Sequence, residues 1–96
     1  MTKKYWFTSS CGRIEFQLTK QQVIKGYHSG QCDNDIAKLL KLPSIKKQLS
    51  NINPDILKTE LKGYGAWDDI ELSNHDNNLA RILWIACCDI REENNF

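Results

Sequence analysis

Ten of the twelve residues from Leu79 to Ile90 are apolar, interrupted only by Arg81 and Asp89, and this segment restricts the fold more than any other. On a helical wheel Leu79, Ile82, Leu83, Ala86, Cys87 and Ile90 form the main stripe, while Trp84, Ile85 and Cys88 lie away from it. A helix that is apolar on nearly every side must be wrapped by other elements or lend its second face to a partner subunit. Its longest uninterrupted apolar run, Ile82 to Cys88, holds seven residues, far fewer than the roughly 20 that cross a bilayer. The helix is therefore expected inside protein and not inside lipid. A two-stranded sheet likewise needs cover to be stable. The expected architecture is α+β, an N-terminal β-hairpin followed by about four helices, with the long C-terminal helix at the centre.

The hairpin is read from strict alternation in Arg13, Ile14, Glu15, Phe16, Gln17 and Leu18, the period of a strand with one buried face. Tyr5 to Thr8 is aromatic-rich and supplies the first strand. A two-residue turn at Cys11 and Gly12 would pair Phe7 with Phe16 and Tyr5 with Leu18, leaving Trp6 on the other face. A three-residue turn would shift the register by one and bury Trp6 instead.

Helix boundaries follow from capping chemistry. Thr19 with Gln22 forms a capping box for a helix from about Lys20 to His28, with Val23, Ile24 and Tyr27 as its apolar stripe. Ser29, Gly30 and Gln31 break it. Asp33 offers a second N-cap ahead of Ile36, Leu39 and Leu40. Pro43 closes or kinks that helix and can itself begin the next, whose inward face is Ile45, Leu49 and Ile52. Asn53 and Pro54 repeat the cap and first turn for a helix carrying Ile56, Leu57 and Leu61 and ending at Gly63. Asp68 with Glu71 makes another box-like pair, and Ser73 with Asp76 is read as the cap of the final helix, which reaches about Arg91.

The chain of 96 residues is 41% hydrophobic and 26% charged, the balance of one folded domain spanning 1–96 and not of a disordered chain. Lys3 and Lys4 lead directly into Tyr5, Trp6 and Phe7 without the long apolar core of a secretory signal. A cytoplasmic location and free thiols at Cys11, Cys32, Cys87 and Cys88 are the corresponding expectations. The net charge of +1 conceals an uneven spread. Residues 1–62 carry eleven Lys and Arg against five Asp and Glu, whereas residues 63–96 carry two against seven. Such polarity provides a basic face for an acidic partner, or lets the two ends attract each other within the fold.

Three constellations could carry chemistry. The loop from Gly63 to Asp69 places Tyr64 between two glycines and follows Trp67 with Asp68 and Asp69. Aromatic and acidic groups on a turn can grip a basic ligand, a sugar or a partner peptide. The same residues can also serve structure, Trp67 pinning the loop and Asp68 capping the next turn. Lys38, Lys41, Lys46 and Lys47 flank Pro43 and could track phosphates, with Trp6 as a stacking ring. They also alternate with core leucines, as any solvated helix face does, and a pI near 7.7 is well below that of strongly basic polyanion binders. Cys11, His28 and Cys32, with His75 or a late cysteine, have metal-capable side chains, but there is no Cys-x-x-Cys pair to anchor zinc. There is no glycine-rich phosphate loop, His-Glu-x-x-His or nucleophile-elbow serine. No cofactor, metal ligand or catalytic residue is therefore assigned.

The segment Glu60-Leu-Lys-Gly-Tyr-Gly-Ala-Trp-Asp-Asp, followed by Asn78-Leu-Ala-Arg-Ile-Leu-Trp-Ile-Ala-Cys-Cys-Asp-Ile, resembles a pattern of small uncharacterised bacterial single-domain proteins. The resemblance runs over the domain length and is strongest in the final third. It implies a bacterial, cytosolic, single-domain protein and brings no activity with it. The reading that follows is a protein-interaction or regulatory module without catalysis, monomeric or homodimeric and not membrane-bound, using the edge strand Lys3 to Thr8 and spare apolar surface on the last helix. The alternatives are a nucleic-acid binder using the lysine-rich helices, and a cysteine and histidine metal or redox site.

Overall fold

Phe7, Phe16 and Leu18 are buried side by side, and their shared face holds the N-terminal hairpin to the rest of the molecule. The computed structural model describes residues 3–29, 34–65 and 67–96. Strands β1 (Lys4–Thr8) and β2 (Glu15–Thr19) form a two-stranded antiparallel sheet. Tyr5 lies opposite Leu18 and Phe7 opposite Phe16, with the Phe7 and Phe16 ring centroids 5.2 Å apart. Trp6 points the other way and stays 59% exposed, as the register of the two-residue turn requires.

The turn itself is longer than that register suggested. The Ser9 N–H donates to the Ile14 carbonyl at 2.9 Å, but the Ile14 N–H donates to Ser9 Oγ at 3.0 Å. A hydroxyl thus stands in for the second backbone acceptor, and Ser10 to Arg13 lie outside the ladder. Gly12 takes a left-handed φ of 74°, a conformation that glycine adopts without a Cβ clash.

Helix α1 (Lys20–Ser29) starts immediately after β2. Its capping box is complete: the Thr19 N–H donates to Gln22 Oε1 at 2.9 Å, and the Gln22 N–H donates to Thr19 Oγ1 at 3.3 Å. Helix α2 (Asn34–Leu40) follows. Asp33, read as its cap, lies outside the described residues, as do the breakers Gly30 and Gln31. Pro43 opens α3 (Pro43–Leu49), whose Ile45 and Leu49 are buried. Asn53 caps α4 (Pro54–Gly63), its Oδ1 accepting from the Asp55 N–H at 2.8 Å and the Ile56 N–H at 3.4 Å.

Two boundaries differ from the sequence expectation. Gly63 closes α4 in helical conformation, and the left-handed residue is Gly65, with φ 72°. Ser73 is taken up by a short 3-10 turn, Glu71–Ser73, so the cap of α5 (His75–Asn94) falls one residue later. Asn74 Oδ1 accepts from the Asn77 N–H at 3.1 Å. Because Pro43 separates α2 from α3, five α-helices follow the hairpin among the described residues.

Helix α5 packs against α1, α2, α4 and β1. Ile82, Leu83, Ala86, Cys87 and Ile90 are buried as the stripe predicts, and Ile85 is buried as well. Leu79, Trp84 and Cys88 are half-buried. Helices α1 and α5 approach closely at Gly26 of α1, where an added Cβ would overlap the Cys87 sulfur. Only a residue without a side chain fits there. Burial pushes the Cys87 thiol up to about 12, so it stays protonated and behaves as a small apolar group.

Candidate functional site

The loop after α4 gathers the aromatic and acidic residues singled out above, and gives Trp67, Asp68 and Asp69 an internal task. Trp67 is half-buried, with the Arg81 guanidinium 5.6 Å from its ring centroid. Arg81 Nη1 donates to the Glu71 carbonyl at 2.7 Å and to Asn78 Oδ1 at 2.9 Å. The buried Asn78 in turn donates from Nδ2 to the Leu72 carbonyl at 2.8 Å. These bonds clamp the loop to α5. Asp68 Oδ1 accepts from the Glu71 N–H at 2.9 Å, and Asp69 pairs with Lys62. The hydrogen bond and charge of Lys62 hold the Asp69 carboxyl below the usual carboxylate range.

Tyr64 and Trp67 also line an open cleft of about 240 Å³ together with Trp84, Ile85, Cys88 and Asp89. Partial burial, followed by the Asp89 charge, pushes the Tyr64 phenol up. Burial, reinforced by Glu92 and Glu93, raises Asp89. Ile70, which follows the loop and precedes the 3-10 turn, is 84% exposed. Nothing in the sequence marks Trp84, Cys88 and Asp89 as site residues, because their helix carries the signature of core packing and not of a surface.

Glu60 carries no signal in the sequence beyond its place on α4, yet it is fully buried. Its Oε2 accepts from the Cys11 N–H at 3.2 Å, tying α4 to the hairpin turn. Its Oε1 has no partner among the described residues. An unsatisfied buried polar atom costs about 1–3 kcal/mol, so this contact anchors the turn without being tightly optimised.

The four lysines differ in their surroundings. Lys41 and Lys46 line a cavity of about 460 Å³ between α2, α3 and the start of α5. Lys38 and Lys47 are exposed and do not line it. Among the metal-capable residues, Cys11 is exposed in the hairpin turn, while Cys32 lies outside the described residues. No group of three or more His, Cys, Asp or Glu residues suited to a metal ion occurs among the described residues. No helix among them is long and apolar enough to cross a membrane.

The sheet edges differ most in what they offer a partner. Antiparallel pairs alternate between those that exchange hydrogen bonds and those whose backbone groups point outward. The Ser9 to Ile14 bond fixes the alternation, so Lys4, Trp6 and Thr8 on β1 and Glu15, Gln17 and Thr19 on β2 face outward. On β2 the Gln17 N–H donates to Gln48 Oε1 at 2.8 Å, and Gln48 Nε2 donates to the Gln17 carbonyl at 3.1 Å. One side-chain amide of α3 thereby imitates the peptide group of a third strand. The Thr19 N–H is taken by Gln22. On β1 no described residue bonds to the outward groups of Lys4, Trp6 or Thr8. The exposed Trp6 indole stands beside that open edge.

Set against protein-family models, curated proteins and solved structures, the chain matches none of them.

Proposed function

We propose that this chain is a non-catalytic protein-interaction module of the cytoplasm that receives an extended segment of a partner protein along the outer edge of β1. The observation that carries this reading is the unequal finish of the two sheet edges: Gln48 closes β2, whereas β1 leaves the backbone groups of Trp6 unpaired among the described residues. An added strand would gain main-chain hydrogen bonds there, and the Trp6 ring would cover one of its side chains. Lys4 is exposed at the start of the same edge and favours an acidic residue opposite it on the partner strand. The Tyr64, Trp67 and Ile70 surface is the competing contact area within this reading.

The test is selection of extended peptides from a random displayed library, followed by amide exchange on the complex. Binding at the proposed edge slows exchange of the Trp6 amide, leaves the Gln17 amide unchanged and is lost in Trp6→Thr. Peptides that instead protect the loop around Trp67, or bind Trp6→Thr as well as the parent, would overturn the assignment to β1.

A further inference from the structure

The lysine-flanked cavity between α2, α3 and the start of α5 is built differently from the strand edge, and has its own chemistry. Its deeper wall is apolar: Leu49 is buried, and Leu40 and Leu79 are half-buried. Its mouth is polar, with the exposed Lys41 and Lys46 on one side and His75 on the other. His75 Nδ1 is shielded from solvent and has no hydrogen-bond partner among the described residues. At about 460 Å³ the cavity falls within the roughly 300–1,000 Å³ of small-molecule sites, which pair an apolar lining with a few placed polar groups. Asp76 shares the mouth, so two lysines and one aspartate leave a single net positive charge. That balance complements one negative charge and disfavours a multiply charged phosphate or a polyanion.

We infer that this cavity is a binding site for an amphipathic monocarboxylate, its apolar body on Leu40, Leu49 and Leu79 and its carboxylate at the mouth with Lys41, Lys46 and the His75 ring. The lysines sit at the solvent boundary, where their stems extend the apolar wall while their ammonium groups reach the anion. His75 contributes the accessible edge of its half-buried ring to the mouth, its Nδ1 being turned away from solvent. The second turn of α5 supplies Leu79 to the floor, while its first residue, His75, stands at the mouth.

The experiment is an NMR titration of the isotope-labelled chain with decanoate, kept below its aggregation concentration, beside decanol and acetate. Saturable shifts at the His75 ring and the Leu40, Leu49 and Leu79 methyls are expected with decanoate. The double variant Lys41→Ala/Lys46→Ala, which alters only exposed side chains, should weaken decanoate by about tenfold, the sum of two exposed charge pairs. Trp6→Thr should leave it unchanged, which separates this site from the strand edge. Equal binding of decanol and decanoate would reduce the cavity to a greasy groove and overturn the inference. So would acetate producing the same shifts, an unaltered affinity in the double variant, or decanoate shifts that never saturate or centre elsewhere.

Discussion

On one side of the hairpin the outward amide and carbonyl of Gln17 meet the Gln48 side chain, and on the other side those of Trp6 meet no described residue. Both edges present the same backbone chemistry, so the difference lies in what the rest of the chain brings to them. An uncovered strand edge invites pairing with other chains, and proteins usually blunt it with charge, a bulge or a covering element. Here α3 covers β2, whereas β1 has only Lys4 as a guard at one end. One edge is open beside an exposed tryptophan while the other is sealed through a contact 31 residues apart in sequence, and this inequality is what the proposed strand addition rests on.

The largest blow to this comparison comes from the face that both edges share. Phe16→Ala removes a fully buried ring and should cost about 3–5 kcal/mol, measured by urea unfolding, with amide protection of β1 and β2 lost together. Retention of protection in one strand alone would show that the edges are independently stabilised. Gln48→Ala should cost about 1–3 kcal/mol, because it strips the outward groups of Gln17 of both partners. Exchange of the Gln17 amide then accelerates while the Trp6 amide stays as it was, making the two edges alike. Gln22→Ala breaks the capping box and opens the Thr19 N–H, for a smaller loss of about 1 kcal/mol in thermal unfolding. Trp6→Thr should change stability by less than about 0.5 kcal/mol, since the ring is exposed and threonine suits a strand. Its effect should appear only in peptide binding.

The buried face of β2 and most helix starts are legible in the residues because they depend on neighbours in sequence, whereas the register, open between two turn lengths, is decided by the pairing of Phe7 with Phe16. Alternation at Ile14, Phe16 and Leu18 shows which face is buried, and the Thr19 with Gln22 and Asn53 with Pro54 pairs act within one helical turn. The misplaced boundaries are also local, but turn on competition: Asn74 outranks Ser73 as cap because the 3-10 turn claims Ser73 first. What could not be read is long-range. Gln48 on Gln17, Glu60 on Cys11 and Asn78 on Leu72 are polar side chains whose partners are set only by how helices dock. The same holds for the candidate sites. Trp67, Asp68 and Asp69 stood out by composition, and the fold employs them to secure their own loop. The lysines were visible one by one, but which two share a cavity with His75 depends on the meeting of α2, α3 and α5.

The bare backbone at Gly26 has a mechanical consequence. Since β2 passes into α1 with no residue between Thr19 and Lys20, the hairpin has no linker to absorb a displacement of α1, and α1 rests against the Cys87 sulfur at Gly26. A methyl group added at Gly26 would press α1 away from α5, and the hairpin joined to α1 is expected to shift with it.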